Sequence, residues 1–190
     1  MIRPSIENET FDGINFTETE LKKGEYENCI FKNCIFSGAD LFEIIFSECR
    51  FEACDLSMAK LRNTSFRNAR FKNCKLMGLR FDECHKMLLS FSFEECILNF
   101  SSFYKLKIKG TSFMACKLHD VEFIEAELPQ ANFDRCDLQG ATFENTKLEG
   151  ADFRTAYNYT IDPEMNRIAK ARFSLPDVVG LLYRHNIVIG

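Results

Sequence analysis

Nine cysteines and three histidines are the side chains of this 190-residue sequence best suited to chemistry. Cys29, Cys34, Cys49, Cys54, Cys74, Cys84, Cys96, Cys116 and Cys136 offer thiolates for metal binding or redox exchange. His85, His119 and His185 offer bases or metal ligands. The spacing argues against both uses. Neighbouring cysteines mostly stand five, ten or twenty residues apart, unlike the short gaps of zinc motifs. The histidines are scattered, no nucleophile is paired with a base, and no Gly-rich phosphate loop is present. The expectation is a protein that is not an enzyme, with no cofactor, no metal and no small-molecule substrate.

What places the cysteines is a repeat. Stepping by five from Phe11 meets a large apolar residue every time as far as Phe81, fifteen in all. The register fails at Lys86 and resumes, shifted by two, at Phe93, with thirteen more centres as far as Phe153. Phe173 falls in the same register, and 17 of the 20 Phe occupy centres. Two residues before each centre the side chain is usually small, and every cysteine sits there or before a would-be centre. Gly13, Gly38, Gly78, Gly110, Gly140 and Gly150 all stand two after a centre, where a turn needs positive φ.

Period five matches neither a helix nor a strand alternation. It matches a chain that bends after each short extended segment, four segments closing a square coil of 20 residues. In the second run Phe alternates with Leu or Ile, so opposite faces would carry the same residue type. Coils stacked at strand spacing from residue 9 to 158 would make a rod about 36 Å long. Cysteine is then a small buried hydrophobe, and free thiols fit a reducing, cytoplasmic setting. The fold class expected is all-β, a solenoid with a C-terminal helix. Coils run over 9–83 and 92–158, with an insertion at 84–91 and a cap with dimerisation element over 159–190.

In the insertion, His85 and Lys86 are expected to point outward. Met87, Leu88, Leu89 and Phe91 either patch the core or form an apolar knob that meets a partner. The tail from Ser174 to His185 reads as a helix opened by Pro176 and Asp177. Val178, Val179, Leu181 and Leu182 form its apolar face, with Ile187 and Ile189 in a β-prone end. A solenoid must cap its open edge, and apolar surface beyond that need points to a homodimer through the C-terminus.

Charge is uneven along the chain. Asp120, Glu122, Glu125, Glu127, Asp134, Asp137, Glu144, Glu149 and Asp152 face only Arg135 and Lys147 in their stretch. From Lys60 to Arg80 there are seven bases and no acid. The acidic belt is either solvated coil surface or, doubled at a dimer centre, a surface resembling duplex charge. A net charge of −4 speaks against nucleic acid as a direct partner, and no apolar run is long enough for a membrane span.

The motif small–polar–Phe/Leu–x–x resembles the pentapeptide-repeat family over nearly the whole chain. The two-residue shift and the tail resemble its topoisomerase-protecting branch, which holds quinolone-resistance, microcin B17 immunity and albicidin-resistance proteins. The likeness to the last rests on Cys96-Ile97-Leu98-Asn99, Ser102-Phe103-Tyr104, Asn145-Thr146-Lys147-Leu148, Gly150-Ala151, Tyr159-Thr160-Ile161-Asp162 and Lys170 to Pro176. The resemblance implies a right-handed quadrilateral β-helix, dimerised through its C-terminal element into a rod of about duplex width. It also implies DNA gyrase or topoisomerase IV as partner and protection of that enzyme from a drug or toxin. Some quinolone-resistance members carry a large projecting loop, and the insertion here is short. The rival expectation is a pentapeptide-repeat scaffold for an unrelated protein.

Overall fold

The repeat dictates four columns of inward side chains, and a computed structural model places them so. It describes residues 4–185, 187 and 188. The first face stacks Ile6, Tyr26, Phe46 and Phe66, and above the insertion Ile108, Leu128, Leu148 and Ile168. The second stacks Phe11, Phe31, Phe51, Phe71, Phe93, Phe113, Phe133, Phe153 and Phe173. The third stacks Phe16, Phe36 and then Leu56 to Leu138, and the fourth Leu21, Leu41, Leu61, Phe81, Phe103, Phe123 and Phe143. All strand pairing is parallel, as a coil returning on itself in one sense requires. Four strands pair on the first face, and nine run unbroken up the second.

Every centre from Phe16 to Phe153 is buried, whereas Phe11 at the open first coil is only partly so. On the second face successive Phe rings stack nearly parallel, with centroids 4.6 to 5.3 Å apart. Across the interior they meet rings of other faces edge-on, as for Phe113 and Phe103 of the opposite fourth face at 5.7 Å and 90°. Stacking along the axis and edge contact across it are both favoured arrangements of the aromatic quadrupole. In the first coils Phe fills adjacent faces, as with Phe46 and Phe51; above the break it fills the opposite second and fourth faces.

The small position before each centre also has a polar task. Thr64, Ser101 and Thr146 donate their hydroxyls to Leu41, Leu76 and Phe123 carbonyls one coil below, at 2.7, 2.8 and 2.7 Å. Cysteine thiols repeat the contact more weakly, for example Cys54 to Phe31 and Cys74 to Phe51, each at 3.3 Å. A short donor therefore satisfies a carbonyl that faces the interior.

Every corner but a few needs positive φ, and most do not use glycine. Asn28, Asn33, Glu48, Ala53, Met58, Phe100 and Asp120 belong to the 22 non-glycine residues so placed among the described residues. For a residue without a local polar side chain this conformation costs about 1–2 kcal/mol. Replacing Ala53 (φ 52°) with Gly is expected to raise stability by about 1 kcal/mol, and with Val to lower it by about as much or more. Denaturant melts of the two variants would check this.

The insertion patches the core and presents a knob. Phe91 is buried against Phe81, Phe93 and Phe103, and Leu89 packs at the core's edge. Met87 and Leu88 are 65% and 70% exposed, and His85 and Lys86 face solvent. Ladder bonds resume on either side, from His85 N to Thr64 O and from Ser90 N to Phe66 O. The two extra residues are thus looped out without disturbing the column of the second face.

The tail is a correction to the expected helix. Ser174 to His185 forms two short 3₁₀ segments, Val178–Leu181 and Tyr183–His185. Two β-branched valines followed by Gly180 are poor α-helix formers. Gly180 is also pinned to the cap: its carbonyl accepts Ile161 N at 3.0 Å. A Cβ there would strike the Tyr159 carbonyl and ring.

Candidate functional site

The cysteines form a structural ladder. Cys34, Cys54, Cys74, Cys96, Cys116 and Cys136 stack in one column beside the third face, Cys29 and Cys49 in a second. All nine are unpaired and buried. Burial pushes Cys49 up to about 12, and Cys84 upward too. Cys116 also rises to about 12, chiefly through its hydrogen bond with Cys136, with burial adding. A thiol so protonated is a poor nucleophile and ligand. No group of three or more His, Cys, Asp or Glu among the described residues is placed to hold a metal ion. A thiol reagent at pH 8 is expected to label none of the nine in the native protein and all nine after unfolding. Rapid native labelling would show that the ladder is open.

The histidines lie apart. His85 is on the insertion, His185 in the last 3₁₀ segment, and His119 on the third face, its Nε2 2.8 Å from Asp137 Oδ2. Burial acts to raise the Asp137 carboxyl, but Asn158 and His119 together hold it below the usual range.

What remains is the surface. The nine acids of the belt are spread over all four faces, and most meet bases one coil away. On the first face Glu127 lies between Lys107 (3.5 Å) and Lys147 (2.9 Å), and Glu149 meets Arg167 at 2.7 Å. On the second, Asp134 meets Arg135 at 3.2 Å, and Asp152 meets Arg154 at 2.7 Å and Arg172 at 3.7 Å. On the third, Asp137 has His119, and at the corner after the fourth Glu125 meets Lys105 at 3.4 Å. Several of these bases stand outside the acid-rich stretch of sequence, so the local excess of charge is smaller than the run alone implies. Exposed pairs of this kind contribute about 0–1 kcal/mol each; their effect is on the field a partner meets. Asp120, Glu122 and Glu144 have no ion pair among the described residues.

The basic stretch girdles the rod. Arg67 reaches down two coils to Glu25 at 3.2 Å, Lys72 meets Glu94 at 2.7 Å and Arg80 meets Asp82 at 2.7 Å. Lys60, Arg62, Arg70 and Lys75 are exposed, Arg62 lying 4.5 Å over the Phe42 ring.

At the C-terminal end Val179, Leu182 and Ile187 are 45%, 37% and 56% exposed. Val178 is partly buried, and Leu181 turns inward onto the core. Ile189 lies outside the described residues. Arg184 ties this segment to the cap at 2.7 Å from the buried Asp162 carboxylate and 2.8 Å from Glu164. Sequence reasoning did not foresee this tie, nor Asn166, a buried polar plug whose amide bonds Phe143 O, Asp162 O and Thr146 N. Asn166 falls two before Ile168, the small-position register, and that was the available signal.

A family model described as the pentapeptide repeat region matches residues 25–91 and 80–153. The chain belongs to the pentapeptide-repeat family. Among solved structures, a pentapeptide-repeat fold of the same extent is the trypsin-treated form of QnrB1, a plasmid-mediated fluoroquinolone resistance protein. It is 19% identical with a TM-score of 0.63, and all of both chains is covered. Full-length QnrB1 is 22% identical with a TM-score of 0.48, covering 97% of this chain and all of that one. HetL, a pentapeptide repeat protein involved in heterocyst differentiation regulation from the cyanobacterium Nostoc sp. strain PCC 7120, is 18% identical. Its TM-score is 0.46, with 92% of this chain and 86% of that chain covered. No curated protein sequence matches the chain. No described helix is long and apolar enough to cross a membrane. In this pentapeptide-repeat protein the buried positions are committed to the column and its ladders, so recognition falls to the outward positions.

Proposed function

We propose that this pentapeptide-repeat protein is a binding protein, not an enzyme, that engages DNA gyrase or topoisomerase IV. It would protect that enzyme from an inhibitor or toxin, as antibiotic resistance or self-immunity. The observation that carries this reading is the end-to-end fold likeness to a fluoroquinolone resistance protein. The sequence resemblance to the albicidin-resistance and microcin B17 immunity proteins points the same way. Residues 1–158 serve as the rigid rod and 159–190 as cap and dimerisation element. The exposed Val179, Leu182 and Ile187 support self-association at that end, which brings two acidic belts together as a DNA-like centre. The partner places the protein in the cytoplasm, where nine free thiols stay reduced.

Purified gyrase gives the test. The protein is expected to inhibit supercoiling at high concentration and to rescue the enzyme from a poison at lower concentration. If it does neither with gyrase or topoisomerase IV, this reading is wrong. The basic girdle at Lys60, Arg62, Arg70 and Lys75 favours the second reading, a scaffold for an unrelated partner, since a uniform duplex mimic has no use for it.

A further inference from the structure

Within the acidic belt the carboxylates without ion pairs are not spread evenly. Of the nine acids in the belt, those on the first and second faces, and Glu125 at the far corner, have Lys or Arg partners, and Asp137 on the third face has His119. Glu122 and Glu144 lie on the fourth face, and Asp120 stands at the corner it shares with the third. All three are exposed.

The same corner carries an unusual apolar ridge. Its turn positions, from the first coils upward, are Gly38, Met58, Gly78, Phe100, Asp120 and Gly140. Phe100 has φ 62° and is 60% exposed; Met58 has φ 59° and is 66% exposed. The Met58 sulfur lies over Gly78, where a Cβ would strike it, and Phe100 stands at the same corner one coil above Gly78. A left-handed backbone is unfavourable for Phe, and Asn holds it at Asn28, Asn33 and Asn63. Neither the core nor the turn accounts for an exposed aromatic ring at this position. The left-handed turn is common to most corners of the rod, so it is the exposed ring carried on it that points to recognition.

We propose that the third–fourth corner and the fourth face above it form the partner-contact side of the rod. It fits a protein segment with an apolar side chain for the Phe100–Met58 ridge and Lys or Arg for Asp120, Glu122 and Glu144. Charge complementarity selects a basic partner: among the described residues no Lys or Arg stands at ion-pair distance from these three acids, whereas the belt's acids on the first and second faces each have one. An aromatic anchor beside unpaired charge has the make-up of a binding hot spot. This deepens the topoisomerase-binding reading and rests on it for the partner's name, though not for the partner's chemistry.

The test uses the full-length protein in three forms. Phe100→Asn keeps a residue suited to the turn; the triple variant Asp120→Asn, Glu122→Gln, Glu144→Gln removes the unpaired charges. A control triple, Glu127→Gln, Asp134→Asn, Glu149→Gln, removes as much charge from the first and second faces. Phe100→Asn is expected to melt no lower than the parent. Both corner variants should weaken binding to purified gyrase about tenfold or more, and the control by much less. Gyrase binding that survives both corner variants, or falls as far in the control, overturns the inference while leaving the topoisomerase reading in place. If the parent itself does not bind gyrase, that reading fails, and a synthetic Lys/Leu peptide at low salt decides the inference separately. Peptide binding by the parent that both corner variants lose supports a different basic partner; no binding, or indifferent binding, overturns it.

Discussion

Replacing Phe113 with alanine is expected to destabilise the protein by about 3–5 kcal/mol. Its ring has no exposure, stacks on Phe93 at 5.2 Å and Phe133 at 5.1 Å, and meets Phe103 and Phe123 edge-on. Removing it therefore opens a gap in the column, takes a stacking partner from Phe93 and Phe133 and takes an edge contact from Phe103 and Phe123. Neighbouring coils are tied to the same backbone ladders and cannot collapse into the gap. Phe113→Leu should lose less, about 1–1.5 kcal/mol, because leucine already fills the nearby buried centres Leu98, Leu118, Leu128 and Leu138. Chemical denaturation of the two variants gives the comparison. Equal small losses would mean that the column does not hold the coils.

Asn166→Leu is expected to loosen the C-terminal end by about 3 kcal/mol. Its side chain accepts from Thr146 N at 2.9 Å and donates to Phe143 O at 2.8 Å and Asp162 O at 3.0 Å. Leucine is of similar size but leaves three buried backbone groups unpaired, each worth about 1–3 kcal/mol to strand, with part regained by the apolar side chain. In a solenoid each coil rests mainly on its neighbours, so the damage should stay local. Hydrogen exchange should quicken from residue 143 to the end of the chain and stay slow below residue 100. Uniform quickening along the rod would contradict that picture. Asp162 belongs to the same cap: burial works to raise its carboxyl, yet Glu164 N and the Arg184 guanidinium hold it below the usual range. A depressed folded-state value means that its contribution is complete above the ordinary carboxylate range and is lost as pH falls through the depressed one. The Arg184 tie should therefore release in acid.

The interior was legible because it has one constraint: a narrow tube admits one large and one small side chain per repeat, and both sizes recur in sequence. Phe31, Leu56 and Phe133 announce themselves by spacing alone. The corners were less legible. Glycine advertises positive φ, but Ala53, Met58, Glu48 and Phe100 adopt it because stacked neighbours on both sides leave the chain no other way to turn. The tail misled because Val178, Val179, Leu181 and Leu182 mimic an amphipathic helix, while Gly180 is held against Tyr159 by the cap. The surface was least legible. Lys107, Glu127 and Lys147 pair because they stand one coil apart on the same face, a spacing of 20 residues that no local window reveals. Only that pairing separates the Asp120, Glu122 and Glu144 carboxylates from the rest of the belt.

On the proposed reading the outside of this rod stands in for duplex DNA on a type II topoisomerase. Competition measures that directly: a fluorescent duplex bound to gyrase, titrated with the protein and followed by anisotropy. The protein is expected to release the duplex, and raising duplex concentration to restore it, the two being mutually exclusive. A stable ternary complex, with duplex and protein bound to gyrase at once, would contradict it.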